Sequence, residues 1–125
     1  MAVYAYLRVS TDQQDVENQR YGILEYANAQ NLGSLQFVED TVSGRQAWRD
    51  RGVGELLTET AQAGDVVLFA EISRMARSTL QVLEILEQSM ARELIIHIAK
   101  QHMVLDGSMQ SRIMATVLGL TAEIE

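Results

Sequence analysis

Apolar positions along this chain come in short bursts, and the spacing within a burst switches between two residues and about 3.6. Residues 2–9 read as a strand, whose side chains would alternate between faces and put Tyr4, Tyr6 and Arg8 on one side. A helix is predicted over residues 14–30, with Ile23, Leu24 and Ala27 as its apolar stripe. Thr11 or Asp12 would cap its start, and Asn31-Leu32-Gly33 would end it. Residues 35–39 fit a short strand, residues 41–51 a polar loop containing Gly44, and residues 53–63 a second helix ended by Gly64. Residues 66–70 form a continuous apolar run between turn signals, the pattern of a strand buried on both faces. Residues 73–78 read as an arginine-bearing loop or first helical turn, and Leu80, Leu83, Leu86 and Met90 mark the helix after it. Residues 94–99 read as another buried strand. After the turn at Asp106-Gly107-Ser108, apolar residues from Met109 to Ile124 recur at helical spacing and exceed what one packed face requires. This last helix is expected to continue past residue 125 and to present its surplus apolar face to a partner subunit. The alternation predicts an α/β domain: a mostly parallel central sheet flanked by helices, with a C-terminal oligomerisation helix truncated at the chain end.

Composition narrows the choices. A chain of 125 residues, 47% of them hydrophobic, is enough for one compact domain and argues against disorder. Cysteine is absent, which excludes disulfides, thiolate chemistry and zinc–sulfur sites. No apolar run approaches the roughly 20 residues that span a bilayer, so no membrane partner is expected. The net charge of -7 argues at first against nucleic acid. Yet Lys100 is the single lysine among ten basic residues. Arginine presents a rigid, permanently charged fork suited to phosphate, so clustering matters more than the sum.

The candidate chemistry starts at Ser10. Arg8 and Ser10 are two apart, hence on one side of an extended chain, which sets a hydroxyl beside a fixed positive charge at a strand end. Such a pair suits acyl or phosphoryl transfer, with a DNA phosphate as the expected target. In a parallel sheet the carboxyl ends of the strands gather at one edge. The segment bearing Arg74 and Arg77 also follows a strand end, and a helical turn would set those two on one face. Arg45, Arg49 and Arg51 form a third supply of guanidinium groups, in a loop that Gly44 lets bend. Converging arginines would stabilise the charge that builds on a phosphate under attack. Gln14 and Gln19 would aim amides at the same edge, although exposed helix glutamine is the plainer reading of each. His97 and His102 read as structural. No metal-ligand spacing or nucleotide-binding glycine loop is present, so neither metal nor cofactor is expected.

The stretch from Tyr6 to Gln14, Tyr-Leu-Arg-Val-Ser-Thr-Asp-Gln-Gln, followed by Gln19, resembles the start of the serine recombinases, the resolvase/invertase family. Val42-Ser43-Gly44, Gly64-Asp65-Val66-Val67, the pair Arg74 and Arg77 with Ser78, and the last helix fall in family order. The resemblance implies that Ser10 attacks a DNA phosphodiester, leaving a 5′-phosphoserine and a free 3′-hydroxyl. Strands would then be exchanged in a homotetramer assembled from homodimers, and rejoined without cofactor. It implies that Arg8, Arg74 and Arg77 contact the scissile phosphate or organise the site, that Ser43 and Gln19 belong to it, and that Tyr6 and Gln14 support it. One loop arginine belongs there too: Arg49 first, with Arg45 or Arg51 open. Asp65 matches an acidic position with a structural or site-supporting role. Ser73 stands where the family commonly has aspartate. Residues 1–125 would be the catalytic domain, with residues 108–125 beginning the long interface helix. The separate DNA-binding region would lie outside these residues, so the fragment alone would bind double-stranded DNA weakly. The competing expectations are a different serine-dependent phosphoryl-transfer hydrolase and a non-catalytic oligomerising α/β interaction domain. The place expected for the protein is the cytoplasm of a prokaryotic cell, on the nucleoid when bound to DNA.

Overall fold

The computed structural model describes residues 1–9, 11–41, 48–50, 52–76 and 78–106. Five strands form one sheet in the order β2-β1-β3-β4-β5. They are β1 (Val3–Arg8), β2 (Gln36–Asp40), β3 (Val66–Phe69), β4 (Ile95–Ile98) and β5 (Met103–Leu105). The first four run parallel, and β5 returns antiparallel to β4. The expected mostly parallel sheet with flanking helices is therefore present. The antiparallel strand β5 falls where a loop was expected after the fourth strand. His102 takes a left-handed turn (φ 52°) that reverses the chain within a few residues. A three-residue strand leaves too little sequence for a periodic signal.

Residue alternation splits the core into two layers. Ala5, Leu7 and Leu68 face helix α1 (Gln13–Ala29) and pack on Ile23, Tyr26 and Ala27. Tyr6, Val67, Phe69, Ile96 and Ile98 face the opposite way, toward Trp48, Leu56, Leu57, Ile85 and Leu86. Each fully buried aliphatic side chain contributes about 1.5–3 kcal/mol. Asp12 caps α1 by accepting from the Gln14 and Asp15 amides. The expected stripe holds at Ile23 and Ala27 and fails at Leu24, which is 46% exposed, whereas Val16 and Gln19 are buried.

The segment expected as a plain loop before the second helix contains a 3₁₀ turn, Trp48–Asp50, that buries Trp48 in the core. Helix α2 (Gly52–Glu55) follows and widens into a π-helical turn, Leu56–Thr60, closed by the Ala61 amide donating to Leu56 C=O at 2.9 Å. A side chain at Gly54 would come within 2.6 Å of the Trp48 and Arg49 carbonyl oxygens, so α2 packs this closely only on a glycine. This helix was expected to run to residue 63; the π turn ends it earlier. Two helices follow β3: α3 (Ile72–Met75) and α4 (Thr79–Ala91), the latter capped by Ser78 accepting from the Gln81 amide. On α4 the buried face is Val82, Ile85, Leu86 and Ser89, while Leu80 and Leu83, two of the residues that marked this helix, are exposed. The expected turn at Asp106-Gly107-Ser108 continues past Asp106 outside the described residues, as does the whole of the expected last helix.

Candidate functional site at the carboxyl edge

The carboxyl ends of β1, β3 and β4 open on one edge, beside the β1/β3 junction where open parallel sheets bind ligands. Arg8 ends β1 and is buried, at 8% exposure. Its side-chain Nη1 donates to the Ser73 carbonyl oxygen at 3.1 Å. Residues 8 and 73–74 therefore meet in space although far apart in sequence, as the strand-end argument expected.

Gln19 locks the backbone at this strand end. Val9 N–H donates to Asp40 C=O, so Val9 turns toward β2 and Arg8 points its own N–H and C=O to the β3 side. There the pairing with β3 has already ended at Tyr6↔Phe69. Gln19 supplies what the missing strand would. Its Oε1 accepts from Arg8 N–H at 3.2 Å and its Nε2 donates to Arg8 C=O at 2.9 Å. Gln14, by contrast, lies exposed on α1 and donates to Asn18.

Arg74 lies in α3, and Arg77, expected to share a face with it, lies outside the described residues. The helix ends at Met75, and Ala76 is extended (φ -160°, ψ 163°). Two carboxylates hold Arg74. Its Nη2 donates to Asp15 Oδ1, and its Nε lies 3.7 Å from Glu71 Oε1. Glu71 also accepts from the Ser73 hydroxyl at 2.5 Å and lies 3.5 Å from Lys100 Nζ. Burial pushes the Glu71 pKa up, but the Ser73 bond and the Lys100 and Arg74 charges outweigh it and hold the carboxyl below its ordinary value. Asp15 and Glu71 were missing from the expected site residues. A first-turn acid on a helix normally reads as a partner of the helix dipole, so only the fold shows what Asp15 faces. An open cleft of about 310 Å³ runs beside this group, lined by Asp15, Gln19, Tyr26, Glu71, Arg74 and Lys100 among others.

The remaining expected residues divide. Tyr6 is fully buried and donates from its hydroxyl to Asp40 Oδ2 at 2.6 Å, so it acts beneath the edge rather than on it. Arg49 is exposed, with its guanidinium 4.4 Å from the Trp48 ring centre. His97 is structural, as expected: it is buried in β4 and hydrogen-bonded through Nδ1 to the Tyr26 hydroxyl at 2.7 Å. Burial lowers its pKa. Ser10, Ser43, Arg45, Arg51 and Arg77 lie outside the described residues.

Asp65 is at the opposite edge. It precedes β3 and accepts from the Ala2 and Gln62 amides, each at 2.9 Å, which pins the amino ends of β1 and β3 together. Asp65 therefore sits at the amino edge of the sheet, away from Arg8 and Arg74. Those two backbone bonds lower its pKa against the opposing effect of burial, with the N-terminal charge helping. A depressed carboxyl contributes stability that is full above its ordinary value of 3.8 and is lost as pH falls through the folded value. Asp65→Asn is therefore expected to lower stability by about 1–3 kcal/mol at pH 7. It should also flatten the dependence below the ordinary carboxyl range. Urea unfolding at neutral and acid pH measures both; an acid limb as steep as wild type would show that Asp65 does not carry it.

Comparison with known proteins agrees with this layout. The family model described as Resolvase, N terminal domain, matches residues 3–125. The chain is 28% identical over 123 residues to the transposon Tn2501 resolvase of Escherichia coli, covering 98% of this chain and 62% of that protein. It is 26% identical over 125 residues to a resolvase/recombinase of Pseudomonas putida, covering 100% of this chain and 65% of that one. It thus spans less than two thirds of the length of these relatives. The crystal structure of the N-terminal catalytic domain of TP901-1 integrase superposes with a TM-score of 0.69 at 20% identity, covering 99% of this chain and 95% of that one. A resolvase family site-specific recombinase from Streptococcus pneumoniae gives 0.62 at 23% identity, with 99% and 87% covered. Both share the fold. By the family match along almost its whole length, this chain belongs to the resolvase N-terminal domain family, the serine recombinase catalytic domains that its opening motif resembles.

Proposed function

We propose that this chain is the catalytic domain of a site-specific DNA recombinase. The Ser10 hydroxyl oxygen attacks a backbone phosphorus. An O–P bond to serine forms as its hydroxyl gives up its proton, the P–O3′ bond breaks, and the departing 3′-oxygen takes up a proton. The 5′-phosphoserine conserves the bond energy for rejoining, so no high-energy cofactor is needed, and the arginines supply the charge stabilisation that a metal would otherwise give. Arg8, Arg74 and Arg77 bind the scissile phosphate, with Ser43 and Arg49, or else Arg45 or Arg51, completing the site. Gln19 sets the strand end that bears Arg8. Tyr6 and Gln14 are supports.

The observation that carries this reading is the Arg8–Ser73 bond, which draws two separate arginine-bearing segments to one sheet edge. Family membership agrees with it. Two duplex sites would be cut and exchanged in a homotetramer, with residues 108–125 opening the helix that joins subunits. A net charge of -7 suits a catalytic piece whose DNA affinity comes from another region of a longer protein, so residues 1–125 alone would bind DNA weakly. Among the described residues no helix is long and apolar enough to cross a membrane. The working place of the full protein would be the cytoplasm and nucleoid of a prokaryote.

The test is covalent capture. Full-length protein is mixed with a randomised library of nicked duplexes, and denaturation-resistant adducts are digested and mapped by mass spectrometry. The expected result is one phosphoserine adduct, at Ser10, with enriched flanking DNA. An adduct at another residue, or strand scission without any adduct, would overturn the proposal.

A further inference from the structure

We infer that Asp15 is a positioning residue for the two arginines, and that it takes the part of the carboxylate whose usual place before Arg74 is held by Ser73. The inference rests on the recombinase reading for its functional consequence, and on a closed ring of contacts for its structure. Asp15 Oδ1 accepts from Arg74 Nη2, and Asp15 Oδ2 accepts from Gln19 Nε2 at 3.1 Å. Gln19 in turn binds the N–H and C=O of Arg8. The Arg8 guanidinium returns to the carbonyl of Ser73, the neighbour of Arg74. One carboxylate thus couples the side chain of the second arginine to the backbone of the first.

Chemistry supports the assignment. A guanidinium on a long side chain gives up rotamer freedom when it is fixed, and a charge-assisted bond in a half-buried setting offsets that cost. Arg74 and Asp15 side chains are 20% and 26% exposed, sheltered enough for their charges to matter. Glu71 approaches the same guanidinium at Nε. Asp15 therefore takes one hydrogen of Nη2, while Glu71 stands 3.7 Å from Nε as a charge without a hydrogen bond, and Nη1 has no partner among the described residues. The outer edge of the fork is the bidentate face a phosphate would use. Ser73, the residue before Arg74, carries no charge to pair with a guanidinium, and its hydroxyl proton is given to Glu71.

The test uses the full-length protein and the duplexes recovered by covalent capture. Asp15→Asn keeps the size and an acceptor but removes the charge; Asp15→Glu restores the charge. The asparagine variant is expected to form the adduct about 10–100-fold more slowly in single turnover, the cost of a misplaced group. DNA affinity should stay within about threefold (under roughly 0.7 kcal/mol), and the glutamate variant should regain part of the rate. Glu71→Gln should show a smaller loss of the same kind. In parallel, the Arg74 Nη2–H signal, from the group that donates to Asp15, is followed by nitrogen-edited NMR without DNA. It should be sharp and slowly exchanging in wild type and broadened in Asp15→Asn. An unchanged signal, or adduct formation as fast as wild type or faster, overturns the inference; the faster outcome would mean that Asp15 masks Arg74 from phosphate. If wild type forms no adduct while the signal still depends on Asp15, the positioning stands and the recombinase reading falls.

Discussion

Ser10→Ala is expected to eliminate the covalent protein–DNA adduct, a loss on the order of a thousandfold or more in rate. The reason is bond accounting. The proposed intermediate is an ester of the serine oxygen, and alanine has no atom to form it. Arginines can stabilise charge on a phosphate, but they cannot store the cleaved bond. Binding to a site duplex should survive, because phosphate contacts, not the attacking oxygen, supply most of that affinity. Arg8→Lys should fall between the two: its charge remains, while the planar fork and the geometry of the bond to Ser73 C=O are lost. Adduct formation should also persist in excess chelator. The result separates three readings. A hydrolase using Ser10 would release product instead of holding DNA on the protein. A non-catalytic oligomerising domain would keep its cellular function in Ser10→Ala. Full recombination by Ser10→Ala would end the proposal.

How much of this was legible in the sequence depends on the kind of signal. Strands β1, β3 and β4 were readable because their side chains are sorted by two buried faces, which leaves either alternation or an unbroken apolar run. The helix faces were less so. Leu24, Leu80 and Leu83 look like core residues by type and spacing, yet all three are exposed. Val82 and Ile85 fill the α4 core position instead, because the direction of the helix relative to the sheet, absent from any local window, decides which side is inside. Trp48 looked like part of a polar loop and is an anchor of the core. The π turn at Leu56–Thr60 has no local signature.

Within the site, the meeting of Arg8 with the Ser73–Arg74 segment followed from sheet geometry alone, since parallel strands deliver their carboxyl ends together. Residue spacing implies a helical face only while the helix continues; α3 ends at Met75 with Ala76 extended, and Arg77 lies outside the described residues. The place of Asp65 was open in the sequence for a related reason. An acid at a strand start belongs to the amino edge, away from the Arg8 and Arg74 ends. Gln19 was found by motif, but its work was not visible from spacing. It completes a strand ladder, and that needs the knowledge that β3 stops short.

That last point leads to the largest expected effect on stability. Gln19→Leu nearly conserves volume at a position only 3% exposed, so packing changes little. What it removes is three hydrogen bonds, two of them to backbone groups of Arg8 that have no strand to pair with. A buried donor and a buried acceptor left unsatisfied cost about 2–4 kcal/mol together. Urea unfolding should show this as a lower midpoint with unchanged slope. Amide exchange should locate it, rising most at Arg8 and least in β4. Gln19→Glu sharpens the argument. Its carboxylate still accepts from Arg8 N–H but cannot donate to Arg8 C=O, and it faces Asp15 across the former 3.1 Å bond. Protonation restores a donor and removes the repulsion. The glutamate variant, compared with wild type at each pH, should therefore recover stability as pH falls through the raised pKa of that carboxyl, while the leucine variant does not. The same change should slow adduct formation at temperatures where the protein is fully folded, because the strand end that aims Arg8 loses its clamp. A leucine variant within about 0.5 kcal/mol of wild type would mean that water or a shifted backbone replaces Gln19, and that Arg8 is held by something other than this ring.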